Sequence, residues 1–294
     1  MTMTTEKFTG CQSLLLHGYY YGTWPARVLR NRAALAARRK ALPILFYHRV
    51  ADDCANSWTL SNRDFERQIE WLRRHFDIVS LGEAQRRISG HAAPSRRAAV
   101  SITFDDGHAD NCQHAIPLLV KHRIPCTYFV TVNHIVSGEP FASDGCLPNT
   151  VDQLRAMADA GIEIGAHTAS HLDLGGVRNR STLRHEISDA TRQLEDLLQR
   201  KVRYFAFPFG QYVNMSSEAF QMARDAGFEA VCSAYGGYNV AGDDPFHLQR
   251  IHVDPGMIRL KNRVTIDPRM ARTVRYSPTP IPLPCATSTA ECVG

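Results

Sequence analysis

The 294-residue chain contains no run of about 18 apolar residues, so nothing in it reads as a bilayer-crossing helix. Its eight cysteines, at 11, 54, 112, 126, 146, 232, 285 and 292, include no C-x-x-C pair. That pattern argues against a cysteine zinc site and against a small disulfide scaffold. Cys126 and Cys232 lie in apolar, strand-like runs, where a buried reduced thiol is the ordinary reading. A leader-like core is also missing: the three leucines at 14–16 are cut off by His17-Gly18, short of the about 7–15 apolar residues of a signal peptide. This favours the cytoplasm, with the cell envelope as the alternative. Net charge is small, +5 from 34 basic and 29 acidic residues, and no basic face interleaves with aromatics, so nucleic acid is not an expected partner. There is no internal repeat.

What is present is an ordinary composition, 44% hydrophobic and 21% charged, in a chain long enough to bury one barrel-sized core. From residue 42 onward, β-rich runs alternate with helical spacings. Strands are predicted over 42–47, 77–81, 98–104, 125–132, 162–166, 202–207, 229–233 and 248–253. Helices fall between them, for example from Ser61 or Asn62 with Phe65, Ile69, Leu72 and Phe76 on one side, and over 181–199. Such alternation points to α/β architecture, a distorted (β/α) barrel of about seven or eight parallel strands. Residues 1–41 read as an extension carrying a basic helix over 24–40, with Pro25 in its first turn. The barrel domain spans 42–267. The proline-rich, small-residue segment 268–294 reads as a disordered tail.

Chemistry concentrates at the ends of the predicted strands. The segment 101–111, SITFDDGHADN, delivers two adjacent carboxylates, Asp105 and Asp106, onto Gly107, whose permissive backbone lets the chain turn. Adjacent carboxylates repel, so a cation, a hydrogen-bond donor or water must take up their charge. Further on, IEIGAHTASHL at 162–172 ends in His167 and His171, four apart. With one carboxylate, two imidazoles make the three-ligand, open-position set of catalytic zinc. His48, Asp105-Asp106, His167 and His252 each fall at the C-terminal lip of a separate predicted strand, the face where barrel enzymes build their sites.

Over about 42–253 these residues, together with FAFPFG at 205–210, resemble the polysaccharide deacetylase family, the NodB-homology group of carbohydrate esterases. The resemblance implies a barrel that removes acetyl groups from N-acetylated sugars of a polysaccharide or oligosaccharide by metal-assisted amide hydrolysis. A non-catalytic carbohydrate-binding relative and an O-acetyl carbohydrate esterase are the alternatives. TFDDG matches the family's first motif, making Asp105 the general base and Asp106 a metal ligand. His167-Thr168-Ala169-Ser170-His171 matches the H-[ST]-x-x-H motif and supplies the other two ligands to a divalent ion, with zinc expected from two imidazoles and one carboxylate. The family's R-x-P-Y-G motif is kept only as Pro208-Phe209-Gly210. Phe209 can still offer its backbone N–H to an oxyanion, while the Arg that steadies the base is missing and Arg250 is the candidate substitute. The family's Asp/Trp motif is not recognisable in 232–238, CSAYGGY. For the acid that protonates the departing amine, Tyr47-His48 resembles the early Tyr-His of the branch acting on poly-N-acetylglucosamine, and His252 in LQRIHV resembles a late Leu-x-His motif. His48 is the expected acid and His252 the alternative.

Overall fold

Short runs of β-branched and aromatic residues separated by amphipathic helices can bury both surfaces only with strands side by side and helices packed outside. In the computed structural model, which describes residues 10–36, 41–91 and 97–278, this is the arrangement adopted. The strands are β1 (Ile44–Tyr47), β2 (Arg49–Val50), β3 (Thr59–Leu60), β4 (Asp77–Ile78), β5 (Ala99–Phe104), β6 (Thr127–Val130), β7 (Glu163–Ala166), β8 (Tyr204–Ala206), β9 (Ala230–Cys232), β10 (His247–Leu248) and β11 (Ile251–His252). The main sheet runs β10-β9-β8-β7-β6-β5-β1-β11, parallel throughout, with β4 beside β5; β2 and β3 form a separate pair. All six residues of β5 are buried, as expected of a strand covered on both faces.

The strand predicted over 248–253 is two strands. β10 pairs with β9 through Leu248 and Cys232, whereas β11 pairs with β1 through Leu45–Ile251 and Phe46–His252, at the opposite end of the sheet. Only Gln249 and Arg250 separate them, so these two residues carry the chain across the gap and curl the sheet towards closure. Asn239 holds the crossing: its side-chain oxygen accepts from Gln249 N at 2.9 Å, and its amide donates to Gln249 O at 2.8 Å. Arg250, fully buried, points inward from the seam.

The helix Asn62–His75 is capped by Ser61, whose hydroxyl accepts from Asp64 N, and buries Phe65, Ile69 and Leu72. The predicted second strand ends early, at Ile78. Ser80 then caps a helix, Leu81–Ile88, that buries Leu81, Ala84 and Ile88. The long helix over 181–199 contains a π-helical stretch at Arg184–Asp189, between α-helical Arg180–Leu183 and Ala190–Leu198. At the N-terminus the basic helix starts earlier than its proline suggested, spanning Gly10–Ala36 with Pro25 inside. Tertiary contacts hold it: Arg27, buried, donates to Asn262 O at 2.9 Å and Asn262 Oδ1 at 2.7 Å, and Tyr19 Oη donates to Asp267 at 2.8 Å. Residues 37–40 of that expectation lie outside the described residues. Of the segment expected to be a tail, 268–278 lies against the domain, where Tyr276 stacks on Phe220 with centroids 5.4 Å apart and Arg275 pairs with Asp243 at 2.8 Å. The remainder, 279–294, is outside the described residues.

Candidate metal and catalytic site

The C-terminal lips of β1, β5, β7, β8 and β11 open onto one cleft of about 1590 Å³, lined among others by His48, Asp105, Asp106, His167, His171, Phe209 and His252. Seven of the residues singled out in the sequence thus share a wall. Pro208 and Gly210 lie behind it and shape the turn that presents Phe209: Gly210 N donates to Pro208 O at 2.6 Å. Gly210 has φ +57°, and a Cβ there would lie 2.5 Å from Ala234 N, so only glycine fits. Phe209 itself adopts φ +60°, uncommon for an aromatic residue, and its ring meets His171 edge-on at 4.9 Å.

Asp105 leaves β5 buried, with both carboxylate oxygens occupied by one guanidinium. Arg250 Nη1 donates to Oδ1 at 2.6 Å and Nη2 to Oδ2 at 2.8 Å, while Arg250 Nε donates to Ser233 O at 3.0 Å. Burial alone would raise the Asp105 carboxyl; the Arg250 charge outweighs it and holds the group below its ordinary range. The seam between β10 and β11 therefore supplies the arginine that the R-x-P-Y-G match lacks, and it does so from a position no local spacing announces.

Asp106 is different. Its backbone has φ +72°, and its Oδ1, buried, accepts no hydrogen bond. Instead Oδ1 lies 3.6 Å from His167 Nε2 and 3.4 Å from His171 Nε2. These gaps are too long for hydrogen bonds, which peak near 2.9 Å. They match the about 3.3–3.6 Å edge of a tetrahedron built on metal–ligand lengths of about 2.0–2.2 Å. The His167 ring is fixed by Nδ1–H donating to Ala206 O at 2.7 Å; a carbonyl only accepts, so the proton sits on Nδ1 and the Nε2 lone pair faces Asp106. Burial would raise Asp106, yet the imidazoles of His108 and His171 hold it well below the usual carboxylate range. The three residues fit a divalent cation.

Glu186, which the sequence reading passed over, ties down the loop between the two histidines. Its carboxylate accepts from Ser170 N at 2.9 Å and Ser170 Oγ at 2.7 Å, and its carbonyl accepts from Ala169 N at 3.0 Å. It lies in the π-helical stretch, a distortion frequent at functional sites. Thr168 and His171 both have positive φ, 65° and 60°, so this loop needs such an anchor.

The two candidate acids differ in their partners. His48 packs between Phe46 and Trp58, its Nδ1 has no hydrogen-bond partner, and burial pushes its imidazole down to about 4. His252 Nδ1 meets Asp254 Oδ1 at 2.9 Å, leaving Nε2 for the cleft. Burial would raise Asp254, but the His252 hydrogen bond and the Arg263 and Arg259 charges pull it far below the usual range. Trp58, half exposed at the cleft mouth, packs on both histidines at 4.6 and 5.0 Å. Asp254 and Trp58 were not singled out in the sequence. An acid two residues after His252 was the available signal for the first.

Known proteins are similar to this chain in sequence and in fold. Residues 92–231 match the polysaccharide deacetylase family model. Bacillus subtilis YxkH, a protein named as a polysaccharide deacetylase, is 29% identical over 74% of this chain and 72% of its own length. The poly-beta-1,6-N-acetyl-D-glucosamine N-deacetylase of Staphylococcus epidermidis is 27% identical over 52% of this chain, which spans only 55% of that enzyme. Among solved structures, IcaB from Ammonifex degensii superposes with a TM-score of 0.66 at 26% identity, covering 77% of this chain and 98% of that one. No helix among the described residues is long and apolar enough to cross a membrane. In its matched segment, its curled parallel sheet and its relatives, the chain is similar to the polysaccharide deacetylase family.

Proposed function

We propose that the protein is a metal-dependent hydrolase that removes acetyl groups from N-acetylated sugars of a polysaccharide or oligosaccharide. The observation that carries this is the pairing at one strand lip of Asp106, spaced from two imidazoles at ligand distances, with Asp105, clamped and ionised. Asp106, His167 and His171 would hold the ion, and two imidazoles with one carboxylate favour zinc. Bound there, it would supply Lewis-acid polarisation of the amide carbonyl and acidify a water molecule. The protein's own groups do the rest. Asp105 accepts the proton of the attacking water, its orientation fixed by Arg250. The Phe209 N–H donates to the carbonyl oxygen as negative charge builds there. His252, held through Nδ1 by Asp254, delivers a proton from Nε2 to the departing amine, which as an anion leaves very poorly. The Asp254 contact supports His252 for this role over His48, the residue favoured by the sequence. His48, pushed down to about 4, is neutral near pH 7 and suits a packing and hydrogen-bonding part.

The names of the staphylococcal relatives make β-1,6-linked poly-N-acetylglucosamine the first substrate to try. Acetate release should be measured on that oligomer and on β-1,4-linked N-acetylglucosamine oligomers, with chelator and after zinc is returned. Release that stops with chelator and recovers with zinc supports the reading. No release from any N-acetylated oligomer by zinc-loaded protein overturns it.

A further inference from the structure

Asp106 has a second face. Its Oδ2 lies 3.7 Å from His108 Nε2, and the same Nε2 lies 4.0 Å from Asp144 Oδ2. Both gaps exceed hydrogen-bond length, and they exceed the 3.4–3.6 Å spacing on the Oδ1 side by only a few tenths of an ångström. Cys146, two residues beyond Asp144, joins the group: ligand atoms of His108, Asp144 and Cys146 all lie within 4.8 Å of one another. None of the three is open to bulk water, with His108 3% exposed, Cys146 8% and the Asp144 side chain 6%. His108 is the unusual member. Buried beside Phe141, whose ring centroid is 4.4 Å away, it makes no side-chain hydrogen bond within the described residues, and its Nδ1 is unpartnered. A buried imidazole with an unpartnered Nδ1 already costs free energy, and its Nε2, facing two carboxylates beyond hydrogen-bond length, is left to ligate a cation.

The loop is built to hold these donors. Cys146 N donates to Asp144 Oδ1 at 3.0 Å, and Asn56 Nδ2 donates to Asp144 Oδ2 at 2.8 Å, fixing the carboxylate from both sides. Gly145, at φ +72°, makes the turn that folds Cys146 back beside Asp144. Phe141, Ala142 and Ser143 line the cleft while Asp144 and Cys146 do not, so the cluster sits behind the wall of the active site.

We infer that His108, Asp144 and Cys146 form a second divalent-cation site, separated from the Asp106–His167–His171 site by the Asp106 carboxylate, which offers one oxygen to each. A thiolate, an imidazole and a carboxylate select zinc or a comparably thiophilic ion over magnesium or calcium. Closure behind the cleft wall gives the ion a structural part: it fixes the 138–149 loop and orients Asp106 from its far side. The thiol proton is released as the ion binds. Only the sharing of Asp106 rests on the reading of the first site; the other three ligands do not.

The test is zinc stoichiometry on the full chain, stripped with chelator and titrated with zinc ion alone, followed by cobalt as a spectroscopic substitute. Parent protein should take up two equivalents and, with cobalt, develop a near-ultraviolet thiolate charge-transfer band. Cys146→Ala should lose one equivalent and the band. Asp144→Asn should weaken the second equivalent at least tenfold while thermal unfolding shows a folded protein. His171→Ala should lose the other equivalent and keep the band; if it keeps both equivalents, the first-site reading fails and this one stands. A single equivalent in the parent protein with no thiolate band, or a band that survives Cys146→Ala, overturns the second site. Should Cys146→Ala fail to fold, the parent stoichiometry and cobalt band, with Asp144→Asn, still decide.

Discussion

Asp105 and Asp106 are the same residue type, joined by one peptide bond at one strand lip, and the protein has given them opposite surroundings. Asp105 is closed: each oxygen accepts from the Arg250 fork, at 2.6 and 2.8 Å, which holds it charged and fixed at the buried edge of the cleft. Asp106 is open: three imidazoles stand 3.4 to 3.7 Å from its oxygens, and none makes a normal hydrogen bond to it. The difference teaches that spacing, more than identity, separates the two carboxylates, and it is the spacing that the proposed roles of proton acceptor and cation ligand rest on. A guanidinium at hydrogen-bond distance completes the first, and a shell of donors at ligand distance waits around the second.

The comparison breaks most visibly if the open side tolerates loss of a donor. His171→Ala is expected to abolish metal uptake at the first site and, with it, essentially all acetate release, checked by metal analysis alongside turnover. Next in size is the acid. His252→Ala should cost about 10²–10⁴ in kcat with metal content intact, the usual worth of a positioned general acid. His48→Ala should cost less, and a fully active His252→Ala beside a dead His48→Ala would return the role to the earlier histidine.

The closed side carries a stability effect. Removing Arg250 leaves Asp105 charged and buried without a partner, so Arg250→Ala should destabilise by about 3–5 kcal/mol in denaturant unfolding. Because Asp105 is depressed in the folded protein, its contribution is present above the unfolded carboxyl value of about 3.9 and is lost as pH falls below it. Parent and Arg250→Ala proteins should therefore converge in stability under strong acid. An Arg250→Ala protein as stable as the parent at neutral pH would mean that the fork does not hold Asp105.

The smallest effect separates acid sensitivity at the site from that elsewhere. His247, outside the cleft lining and meeting Phe220 and Tyr276 edge-on, is pushed down to about 3 by burial and by Arg275. Between about 6.5 and that value the unfolded chain binds the proton that the folded one refuses, so stability falls as pH drops, by at most about 1.4 kcal/mol per pH unit. His247→Phe should flatten that slope without touching zinc uptake.

Much of this architecture was legible because it is local. Burial on both faces of β5 follows from an unbroken apolar run, and capped amphipathic helices follow from Ser61 and the Phe65, Ile69, Leu72 spacing. The strand lips put His48, Asp105, Asp106, His167 and His252 on one cleft, as alternation implied. What was not legible depends on pairing across the sheet. Nothing between residues 247 and 252 says that β10 and β11 belong to opposite ends, because each is only two residues long and its partner lies far off in sequence. Arg250 was nameable as a candidate, but its bidentate grip on Asp105 exists only once the seam is built. The helix Leu81–Ile88 was hidden by its shortness, although Ser80 with Glu83 three residues on is a capping pattern. Glu186 carries no local signal in the helical spacing, and only the loop folded over it shows its part.

The division of labour between the two carboxylates is tested most directly by Asp105→Asn and Asp106→Asn measured side by side for bound zinc and for acetate release from N-acetylglucosamine oligomers. The expected result is that Asp105→Asn keeps its metal and loses about 10²–10⁴ in kcat, while Asp106→Asn loses both metal and turnover. Equal metal loss in the two variants, or near-parental turnover in Asp105→Asn, would contradict the account.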